Sequence, residues 1–168
     1  MDERYPIGRF DVPEEVDGAK LTAWLYEMEA LPRLLNQTVM HLEDDQLQKT
    51  YREGSWTVKQ VVHHIADSHM NSYIRMKLAV TENNPTVSTY EEQLWAELAD
   101  YTLPVEVSLQ LIASLHQRWL HFLRSLTKEQ LQKKFVYPNG EAIQVKQAIG
   151  LYAWHGNHHL AHIKQAIS

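Results

Sequence analysis

The chain has 168 residues, 44% of them apolar and 22% charged, with a formal net charge of -5; this suits one domain, residues 1–168, with its own core. No stretch is strongly basic and no apolar run nears the roughly 20 residues of a membrane span, so nucleic acid and membrane are excluded as partners. Cysteine is absent, which removes disulfides, thiolate metal sites and a cysteine nucleophile together.

The N-terminus, Met1-Asp2-Glu3-Arg4-Tyr5-Pro6, lacks the apolar stretch of a secretory leader, so a cytoplasmic protein is expected. Pro6, Gly8 and Pro13 keep the first residues extended. Apolar residues at helical spacing (Leu21, Leu25, Met28, Leu31, Leu35) predict a first long helix over 18–42 despite Pro32. A second is predicted over 57–81, with Ser55 or Thr57 as its N-cap and Asn83-Asn84-Pro85 as its stop. A shorter helical stretch covers 90–98, and Pro104 opens a third long helix over 105–126. Asn139-Gly140, between short apolar runs, signals a tight hairpin, and the fourth long helix covers 145–167. The fold class is therefore all-α: an antiparallel four-helix bundle with a short β-hairpin before the last helix.

A weak internal repeat runs through this pattern. Gln46-Leu47-Gln48-Lys49 recurs as Gln130-Leu131-Gln132-Lys133, and Val58-Lys59-Gln60 recurs as Val145-Lys146-Gln147. The same order at similar offsets suggests a doubled helical hairpin with a pseudo-twofold axis.

Of the ten histidines, four stand within eight residues near the C-terminus. His158 and His162 are four apart and point the same way from a helix; His155 and His159 form a rival pair. With Val145 at zero on a helical wheel, His158 and His162 fall at roughly 220° and 260°, on a flank of the apolar face. With Val58 at zero on the second helix, His64 falls on the same flank at roughly 240°, whereas His63 does not, at roughly 140°. His155 and His159 lie nearer the centre of the apolar face, where packing is the simpler role. Histidines near a helix C-terminus also have a plainer use, since imidazolium suits that end of the dipole.

The run Trp56-Thr57-Val58-Lys59-Gln60-Val61-Val62-His63-His64-Ile65-Ala66-Asp67 resembles the second-helix motif of the DinB-like superfamily. His158-His159-Leu160-Ala161-His162-Ile163-Lys164-Gln165 resembles its fourth-helix pattern. Tyr5-Pro6-Ile7-Gly8, the continuation of the second-helix run to Arg75, and Gly150-Leu151-Tyr152-Ala153-Trp154-His155 narrow the resemblance to the YfiT-type group. It implies an antiparallel four-helix bundle, a homodimer, and one divalent metal held by three histidines, a role that falls here on His64, His158 and His162. Members carry the provisional description of metal-dependent hydrolase. This chain has Ile163-Lys164 where many members carry Arg-Gly.

Three neutral imidazoles leave an open position at which water or a small-molecule substrate can be activated. Hydrolysis is the first expectation. The alternative is S-transfer, in which a low-molecular-weight thiol such as bacillithiol is added to an electrophile. A non-catalytic metal-binding module is the third. Zinc is the default ion for imidazole donors and nickel also fits. Asp67, one turn after His64, is the candidate general base or orienter, and Gln165 a candidate hydrogen-bond partner of the ligands; both have plain solvated roles as well. Trp56 and Trp154 read as packing anchors.

Overall fold

A computed structural model describes residues 2–168. Helix α1 (Gly18–Val39) starts where the Asp17 carboxylate accepts from the Lys20 amide at 2.7 Å, and it carries Pro32 within it. A single-turn helix α2 (Asp44–Leu47) precedes α3 (Val58–Thr81), whose N-cap is Thr57 in a capping box with Gln60. The expected helix over 90–98 is shorter than its pattern: α4 (Glu92–Trp95) is one turn, followed by a 3-10 turn at Ala99–Thr102. Next come α5 (Val105–Arg124), α6 (Lys128–Leu131), the hairpin β1 (Lys134–Val136) and β2 (Ala142–Gln144), and α7 (Val145–Ile167).

The expected all-helical bundle with a hairpin before the last helix is therefore present. The hairpin loop is wider than an Asn-Gly turn. Tyr137 N–H donates to the Glu141 carbonyl and Gly140 N–H to the Tyr137 carbonyl, with Gly140 alone of the pair at positive φ, +89°. Pro138, with no N–H to give a ladder, pushes the pairing back toward Val136↔Ala142.

The repeat has a structural basis in paired hydrogen bonds. Gln46 and Gln130 close capping boxes on α2 and α6, and Gln60 and Gln147 do the same on α3 and α7. Val58 N–H donates to the Lys49 carbonyl at 2.9 Å, and its counterpart Val145 N–H donates to the Lys133 carbonyl at 2.9 Å.

Each long helix packs on two others: α1 on α5 and α7, and α3 on the same two. Contacts at His63–Ser108, His69–His116 and Met76–Trp119 ascend together, so α3 and α5 are parallel. Trp24 over Gly150 and Leu31 over Gly156 make α1 and α7 parallel as well. Neighbours α3 and α7 run oppositely, since His69 meets Tyr152 while His64 meets His159. The order is up-down-down-up, with α1 and α3 diagonal across the bundle, and the 82–104 crossover joins the two parallel down helices. No described helix is long and apolar enough to cross a membrane.

The core is split in two. One apolar cluster joins Met28, Met76, Trp119, Phe135 and Ile149; the other joins Leu35, Val62, Ile65, Ile112 and Ile163. Between them lies a layer of buried polar side chains that includes His64, Ser68, His69, His116 and His159. The close approach of α1 fixes the rotation of α7 beneath this layer: a Cβ at Gly156 would meet Leu31 Cδ2 at 2.5 Å, and Leu31 is only 2% exposed. Gly156→Val is therefore expected to lower stability by about 2–3 kcal/mol. Thermal melts check this; an unchanged Tm would mean that α1 can retreat freely.

Candidate metal centre

Helix α3 supplies His63, His64, Ser68 and His69, and α7 supplies His155, His158, His159 and His162. Two groups of histidines bring one ring nitrogen each within 4.8 Å of one another: His64, His155 and His159, and His158, His159 and His162. His64, His158 and His162, the trio expected from the sequence, do not meet in this way. His64 joins His155 and His159 instead, and His158 and His162 gather around His159 without it.

The reason lies in the two neighbours of α7. The wheel centre averages the directions toward α1 and α3. His155 and His159, at roughly 280° and 320°, face α3 within that average. His158 and His162 are rotated farther round, to a flank covered by the N-terminal segment. There the His158 ring stacks on Trp154 at 4.5 Å and lies 5.8 Å from Tyr5. Trp154 itself donates to the Gly8 carbonyl. His162 stacks under Tyr51 at 3.8 Å.

Hydrogen-bond logic assigns the imidazole protons, because a backbone carbonyl can only accept. His116 Nδ1 lies 2.7 Å from the Met28 carbonyl oxygen, so this nitrogen carries the proton. Burial pushes the His116 pKa down to about 4, so the ring is neutral and its Nε2 accepts from His69 Nδ1–H at 2.8 Å. His69 is held far below the usual range by burial, so its Nε2 in turn accepts from His155 Nδ1–H at 3.1 Å. His155, also held neutral by burial, is left with its lone pair on Nε2.

A second relay starts on the other side. His162 Nε2 donates to the Arg4 carbonyl at 3.2 Å, and its Nδ1 then accepts from His159 Nδ1–H at 3.4 Å. Burial depresses the pKa of both residues, so the His159 lone pair also lies on Nε2. Two chains anchored on carbonyls thus fix the tautomers of His155 and His159.

His64 is not fixed in this way. Its Nε2 stands 3.3 Å from His155 Nε2, and its buried Nδ1 has no partner. Burial, and then repulsion from His158, lower its pKa to about 4. Because His155 presents a lone pair, the proton between the two nitrogens belongs to His64. If that proton sits instead on the unpartnered Nδ1, the other neutral tautomer, two lone pairs face each other at short range, an arrangement that a cation relieves. The three residues fit a divalent ion: the donors are neutral imidazole nitrogens brought within 4.8 Å of one another, and His64 Nδ1 is left unsatisfied, as is Nδ1 of neighbouring His158.

The remaining residues named from the sequence fall around this centre. His63 donates from Nε2 to the Leu103 carbonyl at 3.0 Å and accepts at Nδ1 from Ser108 Oγ at 2.6 Å; it joins α3 to α5 and has no free nitrogen. Asp67 accepts from the Tyr101 hydroxyl at 2.7 Å and bonds no imidazole; burial raises its pKa. Gln165 donates to the Tyr51 carbonyl and so steadies the ring over His162. Trp56 lies 4.6 Å from His64 and donates to Gln93, screening His64 from solvent.

Sequence reasoning missed His69 and His116 and assigned His155 and His159 to packing. The available signal was their place on core-facing positions: a buried imidazole needs partners for both nitrogens, so several in one layer imply a network.

The family model described as DinB superfamily matches residues 27–163. A Halalkalibacterium halodurans protein named "Putative metal-dependent hydrolase" is 55% identical over 167 residues, covering 99% of this chain and 98% of its own length. The structure of YfiT from Bacillus subtilis, described as a probable metal-dependent hydrolase with an unusual four-helix bundle topology, is similar with a TM-score of 0.96 and 43% identity. The match covers 99% of this chain and 96% of that one. The mycothiol-dependent maleylpyruvate isomerase shares the fold at a TM-score of 0.69 and 15% identity, over 85% of this chain and 60% of its own.

Proposed function

The chain belongs to the DinB superfamily, and from that premise we propose that it is a metal-dependent hydrolase whose divalent ion is held by His64, His155 and His159. One observation carries the ligand set: His64, His155 and His159 bring one ring nitrogen each within 4.8 Å of one another, and two relays, ending on the Met28 and Arg4 carbonyls, leave the lone pairs of His155 and His159 on Nε2. Three neutral nitrogen donors suit zinc, and nickel is accommodated by the same set. The ion, when bound, supplies Lewis acidity and an acidified water nucleophile.

The chain's own residues do the rest. His69 and His116 hold the proton on His155 Nδ1, and His162 holds the one on His159 Nδ1. Trp56 and Tyr51 cover the outer side of the histidines, which keeps the site poor in water and its electrostatics strong. Ser68 Oγ stands 3.4 Å from His155 Nε2 and is placed to hydrogen-bond a substrate oxygen there. The names carried by the relatives support hydrolysis.

Thiol transfer is the second reading. It is favoured by the fold shared with a mycothiol-dependent enzyme and by a chain without cysteine, so that any thiol comes from outside. Metal-loaded protein in ester, amide and phosphoester panels is expected to turn over without thiol and to incorporate oxygen from labelled water. Saturable, thiol-dependent loss of an electrophile, with the thiol retained in the product, would replace hydrolysis by transfer. No turnover in either format would leave a metal-binding module.

A further inference from the structure

Arg75 is a buried cation without a counter-ion. It is 7% exposed, and of its five N–H donors the only bond is from Nη2 to the Ser88 carbonyl. Ion pairs among the described residues are confined to Arg4–Asp2 and Arg124–Glu29. Glu92 is near enough for Arg75 to favour its ionised form, yet burial raises its pKa and it makes no ion pair. The unbonded Nε and Nη1 keep some contact with solvent and so remain free to bond an incoming ligand.

Its surroundings are also unsatisfied. Ser72 Oγ and Tyr90 Oη are buried with no hydrogen-bond partner. Tyr90 lies near Ser68 and Tyr152, with no Ser68 bond of hydrogen-bond geometry to its hydroxyl, and burial raises its pKa. The Tyr137 ring lies 5.8 Å from the Arg75 guanidinium. His64, Ser68, Ser72 and Arg75 follow one another along a single face of α3, within an arc of roughly 80°. Ser68 at one end touches His155, and Arg75 closes the other end. Their Cα atoms span roughly 16 Å from His64 to Arg75 along the helix.

We propose that Arg75, with the Ser72 and Tyr90 hydroxyls, is an oxyanion subsite that takes the carboxylate or phosphate of a small anionic substrate whose reactive end lies at the histidine centre. The proposal rests on reading His64, His155 and His159 as that centre. A guanidinium with free donors recognises such groups through paired, charge-assisted bonds.

The test uses the full chain, metal-free and zinc-loaded, with acetate and inorganic phosphate as separate probes. The readout is the Arg75 Nε–Hε resonance, assigned by its loss in Arg75→Lys. At least one probe is expected to shift it saturably with or without zinc, and which one does so tells carboxylate from phosphate. Arg75→Met, which lacks that resonance and is therefore followed by calorimetric titration beside the wild type, should weaken that probe about tenfold or more while zinc stoichiometry stays unchanged. Tyr90→Phe, which keeps the ring, should weaken it about threefold. An anion that binds only with zinc and ignores Arg75→Met sits on the ion; this overturns the subsite and spares the metal centre. A resonance unmoved by either probe at tens of millimolar also overturns it. Anion binding at Arg75 in a protein that takes up no zinc would keep the subsite and sink the metal centre. If Arg75→Met does not fold, the wild-type titration and Tyr90→Phe still decide.

Discussion

Alanine at His64, His155 or His159 is expected to abolish tight zinc binding, measured by competition with a chromophoric chelator on tag-free protein. Each substitution removes one of three donors. His158→Ala should keep the ion, because the His158 ring serves the Trp154 and Tyr5 stack. His116→Ala and His162→Ala leave all three donors in place but cut the relays at their carbonyl anchors. They should weaken binding about 10–100-fold, the usual effect of losing a group that orients a ligand. Retention of binding in His155→Ala, with loss in His158→Ala, would restore the trio read from the sequence and refute the ligand set proposed here.

A second large effect is expected from acid. In the folded chain burial depresses the pKa of His63, His64, His69, His116, His155, His158, His159 and His162. Their ordinary value of 6.5 applies once the chain unfolds. Below pH 6.5 the unfolded state therefore takes up protons that the folded state refuses. Stability is fully present above that pH and is lost as pH falls toward the folded values, about 4 for His116. For His116 alone, almost fully buried, the full shift is worth about 3 kcal/mol. Several such groups together rival the whole stability of a domain, about 5–15 kcal/mol. Metal-free protein should thus lose its cooperative melt between pH 6.5 and 5, with the steepest fall below 6. A Tm constant across that window would show that the histidine layer is hydrated and free to charge.

The sequence carried the bundle well because its cues are local. Glutamines at capping positions mark the starts of α2, α3, α6 and α7, and apolar spacing marks the long helices. The histidines of α3 and α7 were legible in the sequence, which read His64, His158 and His162 as the ligands; the set His64, His155 and His159 is the rival proposed from the structure. Choosing between residues one step apart on α7 needs the angle from α7 to α3. That angle is set by Gly150 and Gly156 under Trp24 and Leu31, a contact between distant segments. His69 and His116 meet only because α3 and α5 run parallel, which a crossover of irregular chain does not announce. Asp67 looked available on the helix surface; Tyr101, from the turn after that crossover, occupies it.

The diagonal placement of α1 and α3 bears on how the chain is made. In most helical hairpins the second helix covers the first as soon as both have left the ribosome. Here the long helices on which α1 and α3 pack are α5 and α7. Both apolar clusters draw residues from α7, whose 23 residues come after the other three long helices of the bundle in chain order. A nascent chain stopped before α7 therefore holds two unclosed cores and one of the three proposed ligands. Closure of both cores and assembly of the proposed ion site thus depend on the same helix, α7, and without it apolar surface on α1 and α3 stays uncovered.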